Sequence, residues 1–375
     1  MKRSQVFEVR REGTTEVFVF PHKGSQKGPG ARQKEPFYNP AMELNRDLSV
    51  LMNQWFVTQM RKQVHLLDGL AASGVRGVRW AKEIKGDFDV TINDWDTQAC
   101  TLIEKNIQYN NLTNACASKK DVNVLLAEHR YHSIDIDPFG SPVPFVDAAF
   151  RSVYHNGLVA CTATDTATLC GVYPKVCLRR YGAYPFRSPI MHEVGVRILL
   201  GFLCREAAKY DKGIEPLISH STDHYFRVYV QVRKGKDYAN QSIDELMCIN
   251  AKRIKEFSGG YSPKSAIGPL WMGNLHKREV VEELRTSLFD RQFNTKHDLW
   301  RLLSFFEEEA DAPPFFYTTE GIASRFKHPL PTMDKLFEEI QTRGYRVTRT
   351  HFHPTGFKTT APFDEVKEVF KGRTT

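Results

Sequence analysis

The stretch VHLLDGLAASGVRGVRWAKEI, residues 64–84, decides how the rest of the chain is read. Val64 to Leu67 is a short apolar run that ends on an acid, Asp68, and a glycine, Gly69. An apolar run of that length bounded by a turn signal is a buried strand. The small residues Ala71, Ala72, Ser73 and Gly74 then turn the chain into a helix. In such a strand–turn–helix unit the helix N-terminus, with its free N–H groups, faces the crevice above the sheet. A dinucleotide site would carry G-x-G-x-x-G. The glycines here are Gly69, Gly74 and Gly77, so the turn alone also fits a plain βα connection.

The same alternation recurs outward from this unit. DVTIND (89–94) is a second strand ending in an acid, and DTQACTLIEKNIQYNN (96–111) is a helix. SIDID (133–137) and GLVACTAT (157–164) are further strands, and residues 190–210 are helical. Strands alternating with helices predict an α/β fold with a doubly wound, Rossmann-like parallel sheet. Residues 214–234 form two strands in succession, which places an antiparallel hairpin on the sheet edge. Upstream, Leu48, Leu51, Met52, Trp55 and Phe56 recur at helical spacing, with Asn45 as the predicted cap and an end near Gln63.

After Gly235 the pattern changes. Residues 236–275 have no clear periodicity, and 276–310 are helical. TTEGIASRF (318–326) and TMDKLFEEIQTRG (332–344) are short helices, followed by a basic hairpin from RVTRTHF (346–352) and FKTTAP (357–362). Helix, turn, helix and hairpin is the order of a winged-helix module. The predicted division is a catalytic α/β domain over residues 1–236 and a smaller α+β domain over 237–375.

The net charge is +8, and its distribution says more than its size. Three runs lack any acid: Val17–Lys34 with Lys23, Lys27, Arg32 and Lys34; Thr166–His192 with Lys175, Arg179, Arg180 and Arg187; and Arg343–Lys358. Such runs are either solvated loops or the makings of a phosphate-binding face. The seven cysteines are scattered without a C-x-x-C pair, which predicts reduced thiols and no Cys-rich zinc site. No stretch approaches a membrane helix, and the N-terminus lacks the apolar core of a signal peptide. The expectation is a cytoplasmic, monomeric protein with neither membrane nor metal partner.

Three features carry chemistry. Asp94 closes the second strand, where a carboxylate can accept both ribose hydroxyls of an adenosine ligand; together with Asp68 at the end of the first it favours a nucleoside-bearing cofactor over two ordinary acids. Asp137-Pro138-Phe139-Gly140 follows the strand SIDI at the carboxyl edge, where open α/β sheets bind ligands. The amine on a base is a poor nucleophile, because its lone pair is delocalised into the ring. A fixed carboxylate beside a backbone carbonyl can accept the amine hydrogens and turn the lone pair outward, and an aromatic ring can stack on the base. This tetrapeptide therefore predicts methylation of a base amine. Phe37-Tyr38 could supply a second ring or simply pack, and Arg46 stands one turn into the following helix. His220, His224, His351 and His353 form no metal-ligand spacing, and neither a Walker loop nor a nucleophile elbow is present.

With these residues quoted, the chain resembles the tRNA (guanine-N2)-dimethyltransferase family, archaeal type. The resemblance runs through EPFYNPAMELNRD (35–47), LLDGLAASGVRGVR (66–79), IDIDPFGSPVPFVDAA (134–149), CTATDTATLCG (161–171), HEVGVRILLGF (192–202), DHYFRVYV (223–230), GPLWMG (268–273) and TRTHFHPTGFKTTAP (348–362). It implies a class I methyltransferase that uses S-adenosyl-L-methionine to methylate guanine 26 of tRNA on N2. It further implies that Arg46, Arg76, Asp94, and Asp121 with Val122 near the adenine, hold the cofactor. Asp137 would be the catalytic carboxylate with Pro138 beside it, Phe37 and Phe139 would bracket the guanine, and Thr164-Asp165 through Gly171 would border the pocket. Many relatives carry two C-x-x-C pairs before the GPLW segment. Here only Cys248 stands there, so the resemblance implies no zinc. Two other readings remain: an amino-methyltransferase acting on adenine in RNA or DNA, and a tRNA-binding protein without catalysis.

Overall fold

The computed structural model describes residues 7–21, 35–250, 254–257, 266–327 and 329–371. It begins with a hairpin that the sequence reading did not predict, β1 (Glu8–Glu12) and β2 (Thr15–Val19), paired antiparallel. Val17 and Val19 alternate inward, and Gly13 turns the chain at φ +56°, a conformation that favours glycine. Helix α1 follows over Glu43–Gln59. Asn45 is not its cap. Asn39 accepts from Ala41 N–H at the start of a preceding 3-10 turn, and Asn45 lies buried, accepting from Arg76.

The α/β alternation is then realised in order: β3 (Val64–Asp68), α2 (Val75–Glu83), β4 (Phe88–Asn93), α3 (Thr97–Tyr109), β5 (Ala115–Ser118), α4 (Val122–Glu128), β6 (Ser133–Ile136), α5 (Val143–Ser152) and β7 (Gly157–Ala163). Two short helices, α6 (Thr166–Leu169) and α7 (Pro174–Tyr181), lead to the long α8 (Met191–Ala208). The edge hairpin is β8 (Lys212–Thr222) and β9 (Tyr225–Lys234). Strand order in the seven-stranded sheet is β5-β4-β3-β6-β7-β9-β8, with β9 antiparallel to both neighbours and the first five strands parallel. The order reverses between β3 and β6, so the crevice for a ligand opens at their carboxyl ends.

Alternate residues of the central strands feed two apolar cores. Leu67, Ile134, Ile136, Val159 and Cys161 pack with α4, α5 and α8. Leu66, Val90, Ile92, Leu158 and Ala160 pack with α1, α2 and two later helices, Arg278–Leu288 and Lys296–Glu309. Helices on both faces explain why these strands carry apolar residues on both sides.

Residues 236–275, which lack sequence periodicity, nonetheless form α9 (Lys236–Asp244) and a small pair, β10 (Leu246–Ile249) and β11 (Ile267–Trp271). Tertiary contacts override the weak local signal: Ser242 Oγ accepts from Ile214 N–H at 2.9 Å, fastening α9 to the sheet edge. Further along, β12 (Tyr317–Thr318), β13 (Val347–Arg349) and β14 (Gly356–Thr359) make a three-stranded sheet in the order β12-β14-β13. Helices Thr319–Phe326, Met333–Thr342 and Phe363–Lys371 cover it, and Leu336, Ile340, Phe357 and Val366 form its own small core. Among the described residues no helix is long and apolar enough to cross a membrane.

Candidate active site

The carboxyl ends of β3, β4 and β6 gather three acids. Asp68, buried at the end of β3, accepts from Gly77 N–H at 2.9 Å. Gly77 lies in the first turn of α2, whose cap residue Gly74 has no side chain to serve that turn. Asp68 therefore caps the helix from the strand and places its charge at the positive end of the helix dipole. Burial pushes its carboxyl up to about 7, against the opposing pull of Arg76 and with Asp135 adding repulsion.

Asp94 follows β4. Its Oδ2 accepts from Ala72 N–H at 2.8 Å and its Oδ1 from Asp96 N–H at 2.9 Å. The carboxylate thus ties the two βα turns together at the crevice. Its neighbour Asn93 extends the tie, donating to Gly69 O and Lys120 O at 3.0 Å each. Asp121 caps α4 by accepting from Asn123 N–H at 2.8 Å and is exposed, while Val122 beside it is buried. A Cβ on Gly69 would come 3.1 Å from Val122 Cγ2 and 3.0 Å from Asp135 O, so the strand end and α4 approach closely there.

Asp137 sits one residue beyond β6, with Pro138 buried and Phe139 51% exposed. Arg76, on the first turn of α2, donates to Asp137 Oδ2 and to Asn45 Oδ1. Oδ1 of Asp137 carries no hydrogen bond among the described residues, and the side chain is 19% exposed. Gly140, at φ +84°, donates its N–H to Thr164 Oγ1 at 2.7 Å and accepts from Thr164 N–H at 2.9 Å. This locks the tetrapeptide to the end of β7. Asp165 is held by Tyr181 at 2.6 Å and Arg180 at 3.1 Å, and Tyr181 also contacts Ser141 at 2.9 Å. The Phe37 and Phe139 rings meet edge to face, centroids 4.9 Å apart, so a base stacks between them only once they part.

Arg46 lies in the first turns of α1, next to Asn45. It is buried against Glu12, with Nε to Oε2 at 2.8 Å, and donates to Asn39 O at 3.0 Å. Glu12 also receives Tyr38 at 2.8 Å and Arg79 at 3.1 Å, so Arg46 helps pin the β1–β2 hairpin and the Phe37 segment onto α1 and α2. Of the basic runs, Lys23, Lys27, Arg32 and Lys34 lie outside the described residues. Lys175, Arg179 and Arg187 are exposed and have no ion pair among the described residues, close in sequence to exposed Val172, Tyr173 and Tyr184. Lys358 departs from the surface reading: it is buried, 2.9 Å from Glu193 Oε1.

Two residues that the sequence reading passed over stand behind Asp137. Asp135 is buried on β6, two residues earlier and so on the same face. Arg227, buried on β9, engages both oxygens of Asp135, at 2.9 Å on Oδ1, and donates to Thr162 Oγ1 at 2.8 Å. Burial works to raise the Asp135 carboxyl, but Arg227 and then Arg76 bring it below its ordinary value. The available signal was an acid and an arginine inside apolar strands, SIDI and YFRVYV, each demanding a partner.

His276, Glu309 and His351 bring one donor atom each within 4.8 Å of one another. Lys358 Nζ stands 3.7 Å from Glu309 Oε2, so the cluster already contains its own cation and acts as a clamp between segments.

The chain is similar to known proteins along most of its length. The model of a family described as N2,N2-dimethylguanosine tRNA methyltransferase matches residues 23–371. A tRNA (guanine(26)-N(2))-dimethyltransferase of Methanobrevibacter smithii is 37% identical over 352 residues, covering 89% of this chain and 91% of that one. One of Thermococcus kodakarensis is 40% identical over 356 residues, covering 89% and 93%. The solved structure of Trm1 from Pyrococcus horikoshii with S-adenosyl-L-methionine superposes with a TM-score of 0.85 at 34% identity, covering 96% of this chain and 99% of that one.

Proposed function

The chain belongs to the N2,N2-dimethylguanosine tRNA methyltransferase family, and we propose that its carboxyl-edge crevice performs the family's reaction through the residues described above. The reaction is methylation of the 2-amino group of guanine 26 in tRNA, once or twice, with S-adenosyl-L-methionine.

The residues fit that cofactor. Asp94, fixed by two backbone N–H groups, retains lone pairs that would accept the ribose hydroxyls; Asp121 and Val122 would hold the adenine, and the β3–α2 turn, with Asp68 and Arg76, the amino-acid end. Arg46 supports the site by holding the Phe37 segment. Bound there, S-adenosyl-L-methionine supplies an electrophilic methyl group. The protein's part is orientation and proton removal. Phe139, and Phe37 once displaced, stack on the guanine, worth about 1–3 kcal/mol per base. Asp137 Oδ1 accepts one hydrogen of the 2-amino group and the Pro138-side backbone the other, which turns the lone pair toward the crevice. As nitrogen gains its fourth bond it becomes strongly acidic, and Asp137 accepts the proton. A second round needs the methylated amine to rotate and offer its remaining hydrogen. Thr164 and Asp165 border the base.

We assign the chemistry to residues 1–236 and tRNA positioning to 237–375, with Lys175, Arg179 and Arg187 adding phosphate contacts beside the pocket. The protein acts as a cytoplasmic monomer without a metal. One observation carries the reading: Asp137, oriented by Arg76 at the mouth of the crevice, lies next to an exposed phenylalanine that can stack a base. Incubation with unmodified tRNA and labelled cofactor, followed by mapping of the modified nucleotide, tests it. Label on N2 of guanine 26 is expected; label on an adenine amine, or none, overturns it.

A further inference from the structure

Arg227 touches no part of the crevice. It rises from β9, passes Thr162 on β7 and reaches Asp135 on β6, two strands away. A planar guanidinium with two contacts on one carboxylate is a specific arrangement that lysine cannot reproduce. Asp135 is also 3.6 Å from Arg76, the residue that holds Asp137. Two carboxylates, Asp135 and Asp137, thus share two guanidinium groups, with buried Asp68 beside them. Asp68 takes a backbone N–H, and Asp135 takes Arg227. Arg76 is left for Asp137.

We propose that Arg227 is a positioning residue for methyl transfer: by satisfying Asp135 it keeps Arg76 on Asp137 and so fixes the carboxylate that meets the base amine. The inference rests on the reading of Asp137 as proton acceptor. Without Arg227, Asp135 becomes an uncompensated buried anion, and its closest remaining cation is Arg76. Arg76 then swings toward β6 and Asp137 loses its anchor. The base-stacking contacts, made by Phe37 and Phe139, stay in place.

The test compares Arg227→Gln, Arg227→Lys and the double variant Asp135→Asn/Arg227→Gln, each as the full chain, with kcat and KM measured on unmodified tRNA. Arg227→Gln is expected to lower kcat about 100-fold, within the range a mispositioned acid–base group produces. The KM for tRNA should move less than about threefold, because the base-stacking contacts are kept. Arg227→Lys, keeping the charge, restores part of kcat. The double variant, which removes the competing anion, recovers at least about tenfold over the single one. If Arg227→Gln fails to fold, the double variant decides, since it buries no unpaired charge. A double variant as slow as Asp137→Asn, an Arg227→Gln enzyme with unchanged kcat, or a loss seen in KM alone overturns the proposal. Normal turnover in Asp137→Asn would instead overturn the acceptor assignment on which it rests.

Discussion

The molecule contains two buried clusters of the same composition, each with two carboxylates and two cations, and they do different work. One lies at the carboxyl edge: Asp135, Asp137, Arg76 and Arg227. The other joins α8 to the C-terminal sheet: Glu193, Glu309, Arg197 and Lys358. In the second every side chain is at most 2% exposed, and even Glu193 Oε2, which has no hydrogen-bond partner, is sealed from the surface. Glu193 Oε1 alone receives Arg197, Lys358 and Phe315 N–H, and Glu309 receives Thr350 and His351. In the first, one carboxylate is 19% exposed and keeps an oxygen uncommitted. A closed set of charges is a clamp; the same set with one face open is a reagent held in aim. The lesson is that ionic residues at an α/β carboxyl edge are sorted less by type than by which of them still has a lone pair facing the crevice.

The largest effect should come from opening the closed cluster. Lys358→Met leaves Glu193 and Glu309 without their shared ammonium, and breaking a buried pair in this way costs about 3–5 kcal/mol. Denaturant unfolding should show it as a lower midpoint; a change near zero would place Lys358 outside the clamp. Around the crevice that the open cluster faces, substitutions should act on ligands. Asp94→Ala removes a charged acceptor, worth about 1.5–3 kcal/mol, and should weaken cofactor binding by roughly tenfold or more in calorimetry. Phe139→Ala should cost about 1–3 kcal/mol of base stacking, read as a rise in KM for tRNA with cofactor affinity unchanged.

A smaller effect concerns pH. The Asp68 carboxyl, ordinarily 3.8, is pushed up to about 7 by burial. The folded protein therefore holds this proton after the unfolded chain has released it. The stability it contributes is complete below about pH 4 and is lost as pH rises through 7. The melting temperature should fall between pH 5 and pH 8, and Asp68→Asn, which keeps an acceptor for Gly77 N–H, should flatten that fall. An equal slope in both proteins would assign the dependence to another group.

The open cluster was half legible in the sequence, and the closed one hardly at all. Asp68, Asp94 and Asp137 each follow an apolar run, and a strand-end acid is a local signal. Arg227 and Asp135 are separated by 92 residues and Lys358 and Glu193 by 165, so each shows only as a charge in an apolar run, without its partner. In the sequence Lys358 falls in a basic run with Arg343, Arg346 and Arg349, and proximity along the chain carries no information about facing. It lies on β14, and its side chain turns inward. Helices α1, α2, α3 and α8 and strands β3, β4, β6 and β7 followed from the sequence pattern, whereas β5, α4 and α5 are not marked by it. The β1–β2 hairpin and α9 did not, because their short segments are fixed by contacts such as Arg46 with Glu12 and Ser242 with Ile214.

The central claim is that Asp137 is the aimed carboxylate. Asp137→Asn, measured by single-turnover methyl transfer to unmodified tRNA alongside calorimetric cofactor binding and tRNA affinity, tests it most directly. The account predicts a fall in the transfer rate of about 100-fold or more, with both affinities within about threefold of the unaltered protein. Transfer at close to the unaltered rate would contradict it.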